Sequence, residues 1–180
     1  YSYSGSENFS RSNRYGFFPT ISGAWIISNE AFLKNKRQVN FLKLRASYGM
    51  VGNSNIGLGR FPYMSQFYLG GGYVFGTAYS SSDGSYEGRL NNTGITFEKS
   101  LNANIGMDLE LFKSKLVLNI DLFRNDRSRI ITTRSNTLPG IIGQSLPYEN
   151  LGSVLNKGFE AALKYQDKVG NVGYFAQANV

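Results

Sequence analysis

The chain has 180 residues, enough for one domain-sized unit, but no cysteine and no histidine. Disulfide frameworks, thiolate or imidazole metal sites, and Ser-His-Asp or Cys-His triads are therefore excluded within it, and no cofactor motif takes their place. The net charge of +7 comes from dispersed Lys and Arg, with modest clusters at Lys34–Arg37 and Arg124–Arg134 and no recognisable DNA- or RNA-binding motif. The charge thus reads as solvated faces, and no nucleic-acid partner is expected.

High Gly (21), 14% aromatics and only 4 Pro suit long strands joined by loops. No apolar run approaches the roughly twenty residues of a membrane helix, which leaves a β-barrel open because half of every barrel strand is polar.

Tyr1–Ser4 reads as the end of a strand and Gly5–Asn13 as a polar turn. Tyr15–Ile27 then alternates, with Phe17, Ile21, Trp25 and Ile27 on one side. Pro19 lacks a ladder donor and predicts a bulge or irregular pairing. Trp25 fits either an interfacial aromatic girdle or a buried core. Ser28–Arg37 is the one helix-like patch, a connector in which Ser28 or Asn29 caps a single turn through Phe32 and Leu33.

Asn40–Met50 alternates again, with Leu42, Leu44, Ala46, Tyr48 and Met50 opposed to Phe41, Lys43, Arg45, Ser47 and Gly49. Lys43 and Arg45 in mid-strand must face water or a partner, since a cation on the lipid side costs about 2–4 kcal/mol at the bilayer midplane. Residues 52–92 form a long connection rich in Gly, Ser, Tyr and Asn, and structureless loops of that length are usually functional. Its rings, Tyr63, Phe67, Tyr68, Tyr73 and Phe75 among them, are candidates for contact with a substrate or a protein partner, or else pack the loop against itself.

The strongest pattern is Thr96–Asp126. Leu101 to Phe112 alternates without a break, and Leu116, Leu118, Ile120 and Leu122 resume the apolar face after a very short turn. This predicts a hairpin of two long strands. Twelve residues exceed the ordinary strand length and match a tilted membrane strand of about nine to eleven residues.

The polar sides carry Asp108, Glu110 and Asp121. A two- or four-residue turn is expected to set Asp108 opposite Asp121 and Glu110 opposite Asn119, an unfavourable opposition of like charges. Lys43 and Arg45 are predicted to neighbour Glu110 and Asp108 and so to complete a charge cluster. Asp108 and Glu110 could also serve glycoside hydrolysis, although a polar wall explains both without chemistry.

Further on, 127–150 carries the turn signals Pro139-Gly140, Gly143 and Pro147. Val154–Gln166 alternates, 167–171 is a short turn, and Val172–Val180 begins another strand. The connections therefore run short, long (52–94), short, long (127–152), short. That alternation with long amphipathic strands is the pattern of an outer-membrane barrel. The competing reading is a soluble carbohydrate-binding β-sandwich.

Several stretches carry a resemblance. RYGFFPTISGAWIISNEAFL, FLKLRASYGMVGNSNIG, RFPYMSQF, GRLNNTGITFEKSLNANIGMDLELF and SVLNKGFEAAL resemble, in order, the barrel of SusC/RagA-type TonB-dependent outer-membrane transporters. Phe97 stands where that family more usually has Trp, and Ile26 where Arg is common.

The resemblance implies an all-β, antiparallel transmembrane barrel segment: about seven strands of a 22-stranded plugged barrel. Residues 1–180 would then form part of one barrel domain, with the plug domain and the C-terminal closing strand outside this chain. It further implies import of oligosaccharides or peptides, a SusD-like surface lipoprotein as partner, drive from the TonB complex through segments not in this chain, contact with outer-membrane lipids, and no catalytic residue.

Overall fold

A computed structural model describes residues 1–34, 36, 38–134 and 145–180. The turn signals Pro139-Gly140 and Gly143, and Arg37 of the first basic cluster, lie outside the described residues.

Period-two alternation has its expected consequence. Six strands form one antiparallel sheet in the order β12-β11-β10-β9-β4-β3. They are β3 (Thr20–Ile26), β4 (Val39–Asn53), β9 (Glu98–Leu111), β10 (Leu116–Thr133), β11 (Tyr148–Val169) and β12 (Val172–Asn179). Pro19 interrupts the alternating run: β2 (Tyr15–Phe18) ends before it, β3 begins after it, and its carbonyl still accepts from the Met50 N–H at 2.8 Å. Paired to β2 is β1 (Ser2–Gly5), and the two form a separate two-stranded sheet.

The pairings assign every side chain to a face. One face collects Trp25, Leu44, Met107, Ile120 and Ala161 in a single row, with Gly23, Ala46, Ile105, Leu122 and Phe159 in the next. The other collects Arg45, Gly106, Asp121 and Glu160. Among the described residues no second sheet covers the apolar face, and Ile21, Trp25, Ile105, Leu122 and Phe159 are all more than half exposed. A β-sandwich buries one face of each sheet against the other; the described strands leave theirs open. Trp25 is accordingly no core residue; its Nε1–H donates to Glu30 Oε1 at 3.0 Å, near the turn end of the sheet.

Three local expectations change. No side chain caps the connector: a 3₁₀ turn spans Ile27–Asn29, and Lys34 N–H then bonds Glu30 C=O. The long connection is not structureless, because β5 (Phe67–Leu69) pairs with β8 (Ser85–Glu87) and β6 (Tyr73–Phe75) with β7 (Ser80–Ser82). The second long connection shrinks because β10 and β11 run 18 and 22 residues, well past the apolar stretch that signalled them.

The hairpin register also differs from expectation, by two residues. Asp108 lies opposite Asn119, Glu110 opposite Val117, and Asp121 opposite Gly106. Phe112 is the cause: it leaves the strand and joins Lys113 and Ser114 at positive φ in a four-residue turn, Phe112–Lys115. A shift of two preserves the faces, but it removes the predicted Asp108–Asp121 opposition.

Candidate functional site

The polar face carries one compact charge cluster. Arg45 in β4 projects over Gly106 in β9, its direct neighbour in the register. A Cβ at Gly106 would lie 2.5 Å from the Arg45 Cζ, so glycine is what leaves room for the guanidinium. From there Arg45 Nη2 donates to Asp121 Oδ2 at 2.6 Å, and Nε stands 3.4 Å from Asp108 Oδ2. Asn119 Nδ2 donates to the other Asp108 oxygen at 3.0 Å.

One guanidinium thus bridges carboxylates from two strands, using the fork of donors that lysine lacks. The side chains are 34%, 21% and 22% exposed, so the pairs are screened less than on an open surface.

The other predicted members stand nearby. Lys43 is opposite Asp108 in the register without an ion pair between the two. Glu110 lies opposite Phe41 and accepts from Ser114 Oγ at 2.6 Å, which ties it to the turn. The hydrogen bonds to Asp108 and Glu110 are those of a polar wall.

Sequence reasoning missed two residues beside the cluster. Gly106 gave no signal beyond a glycine in mid-strand, which is itself a mark of close approach by another group. Glu160, opposite Asp121 across β10–β11, could have been found only with that register in hand.

Just beyond the apolar face, on the turn side of Tyr165, Lys115 Nζ donates to Asp167 at 2.7 Å. That bond, with a second from the Lys168 N–H, holds the Asp167 carboxyl below the usual carboxylate range. It clamps the β9–β10 turn to β11, as do Gln166 N–H and Nε2 bonding the carbonyls of Lys115 and Ser114.

The opposite end of the sheet is organised by a staple. Residues 89–97 cross the rim, where Asn150 Nδ2 donates to the Thr96 carbonyl at 2.9 Å and to the Arg129 carbonyl at 2.7 Å, while its Oδ1 accepts from Thr96 N–H. Asn92 bonds the Tyr148 carbonyl, Arg89 bonds the Leu146 carbonyl and lies over the Tyr148 ring, and Ser10 Oγ bonds the Thr93 carbonyl. Beneath lies a small core of Phe9, Phe18, Ile95 and Phe97.

From this braced base β5–β8 extend as a narrow two-stranded finger. Phe67 is 70% exposed and Tyr73 71%, and Tyr68 and Phe75 are exposed as well. Tyr68 packs against Tyr86 with ring centroids 5.8 Å apart, and Tyr73 against Phe75 at 5.2 Å. Tyr63 is not part of the finger; it is half-buried at the base beside Phe61.

Comparison with known proteins matches residues 1–179 to the family described as TonB dependent receptor-like, beta-barrel. TonB-dependent receptor P39 of Formosa agariphila is 33% identical over 159 residues, covering 88% of this chain and 14% of the relative. TonB-dependent receptor SusC of Bacteroides thetaiotaomicron is 29% identical over 163 residues, covering 88% of this chain and 16% of the relative.

Among solved structures, the RagAB peptide transporter superposes with a TM-score of 0.79 at 24% identity, covering 97% of this chain and 18% of that one. The siderophore receptor PirA from Pseudomonas aeruginosa reaches 0.51 at 13% identity, covering 95% and 29%. These structural likenesses speak to the fold. The chain spans less than a fifth of the length of the curated relatives it matches.

Proposed function

Because the chain belongs to the TonB-dependent receptor β-barrel family, we propose that it supplies wall and extracellular loops to an importer of oligosaccharides or peptides. Membership makes it a SusC/RagA-type barrel segment of the outer membrane, from a family of transporters and receptors rather than enzymes. In this reading residues 1–180 are part of one barrel domain, and plug and closing strand come from elsewhere in a longer polypeptide. The apolar face meets lipid, the Arg45–Asp108–Asp121 face lines the lumen, and the long connections stand outside the cell.

The observation that carries the reading is the two-faced sheet itself. Six strands of one antiparallel sheet expose one apolar and one charged face, and the long connections leave from one end. Lys43, Arg45, Asp108, Glu110 and Asp121 are then a lumen cluster that fixes strand against strand and presents charge to whatever fills the barrel. Tyr63, Phe67, Tyr68, Tyr73 and Phe75 belong to a ring-bearing loop placed to meet a SusD-like lipoprotein or the cargo. Energy reaches the barrel from the TonB complex through parts of the protein outside this chain.

Deleting residues 70–85 from the full transporter tests the rim. Uptake by cells that depend on it should fall while the barrel still assembles, seen as heat-modifiable electrophoretic mobility. Normal uptake by the deletion variant would refute a role for the finger.

A further inference from the structure

We propose that the outer wall holds a phosphate-bearing lipid, with Arg124 and Lys157 gripping the phosphate and an adjoining hollow taking an acyl chain. This rests on the reading of the apolar face as the lipid-facing one. Arg124 in β10 and Lys157 in β11 are direct partners in the register, so two cations stand side by side on the apolar side of the sheet. Like charges directly opposed are unfavourable unless something neutralises them. The protein supplies little: Asp126 Oδ2 is 3.8 Å from Arg124 Nη2, with side chains 62% and 44% exposed. Lys157 is exposed and has no partner among the described residues.

The second observation is the hollow itself. About 610 Å³ lies open on the apolar face, with Gly23, Ala46 and Ala103 among its lining, Tyr48 and Leu122 at its sides, and Arg124 at its edge. Gly23 is opposite Ala46, and Ala103, diagonal to Ala46 across β4–β9, is opposite both Tyr48 and Arg124, so the small residues step across β3, β4 and β9 towards the cation pair. A Cβ at Gly23 would meet nothing within 4 Å. Glycine and alanine are poor strand residues, and here they keep a recess free that larger side chains would fill.

The depth is also right. Arg124 stands eight residues up β10 from Leu116, at the strand's turn end, which for a tilted strand is about 20 Å of a roughly 25 Å apolar band. That is close to the loop-side headgroup level. Arg124 offers a fork and Lys157 a point charge, the combination suited to a phosphate monoester. A free phosphate has no use for the recess, and an uncharged lipid has none for the cations.

The test uses the purified full transporter in an uncharged detergent, titrated with dioctanoyl phosphatidic acid and read by native mass spectrometry. Wild type should bind it, and R124Q/K157Q should bind about tenfold more weakly or worse, since charge-assisted hydrogen bonds are lost. Ala46→Leu, which fills the recess, should also weaken binding while leaving both cations in place.

Equal binding by wild type and R124Q/K157Q would overturn the proposal, as would equal binding of dioctanoylglycerol. Displacement of the lipid by millimolar inorganic phosphate would overturn it in favour of a free-anion site. Heat-modifiable mobility separates the two readings: a wild-type protein lacking it would sink the barrel reading and this one together, whereas a properly assembled barrel indifferent to the charge variants sinks this one alone.

Discussion

Replacing Gly106 by alanine probes the charge cluster without touching a charge. The added Cβ would sit 2.5 Å from the Arg45 Cζ and 2.8 Å from its Nε. Ordinary contact needs roughly 1 Å more, so the guanidinium must lift from the sheet. The 2.6 Å bond to Asp121 and the 3.4 Å approach to Asp108 cannot both survive that movement. A hydrogen bond between charged groups contributes about 1.5–3 kcal/mol, less when partly solvated as here. Alanine restores about 0.5–1 kcal/mol of strand preference over glycine. The net expectation is a loss of about 1 kcal/mol.

The assay is the midpoint temperature at which the full transporter loses its folded electrophoretic mobility, measured for Gly106→Ala, Arg45→Met and the double variant. In the Arg45→Met background the guanidinium is gone, so Gly106→Ala should become neutral or mildly stabilising. An equal cost for Gly106→Ala in both backgrounds would refute the reasoning and place the effect in the backbone.

Asn150→Ala removes three hydrogen bonds that tie residues 96 and 129 to β11. The expected loss is about 2 kcal/mol of local stability, read as faster amide hydrogen exchange across 89–97 and around residue 129, with the turn-side halves of β9 and β10 unchanged; unchanged exchange at 89–97 would show that the staple lies elsewhere.

At the turn end, the depressed Asp167 pKa means that the clamp to Lys115 is intact above the ordinary carboxylate value and is lost as pH falls through the lower folded one. A spin label at Ser114→Cys should stay immobile at neutral pH, gain mobility only below about pH 4, and be mobile throughout in Asp167→Asn. Mobility that rises near pH 6 in wild type would contradict this assignment.

The rings at the rim were legible as a Gly-spaced aromatic stretch. That Tyr63 belongs to the base and the other four to a paired finger was not, because three-residue strands carry too little alternation to register. Arg45 and Asp108 could be placed on one face from parity alone. Their contact needed β4 beside β9, a pairing across a connection of more than forty residues whose length says nothing about where its ends meet.

By itself the sequence determined the faces of this protein. A side-chain period of two assigns Leu101–Leu111 and Leu116–Leu122 to one side and Asn102–Glu110 and Asn119–Asp121 to the other, whatever the strands pair with. It determined the irregularity at Pro19 too, because a missing N–H is a covalent fact. The tertiary structure alone decided register and proximity. Taking Phe112 into the turn moved every partner by two residues, and only that placed Gly106 between Arg45 and Asp121. The reason is physical: alternation is local and survives any even shift, whereas a charge network depends on which residues of different strands stand within about 3 Å of each other, and that distance belongs to the folded sheet.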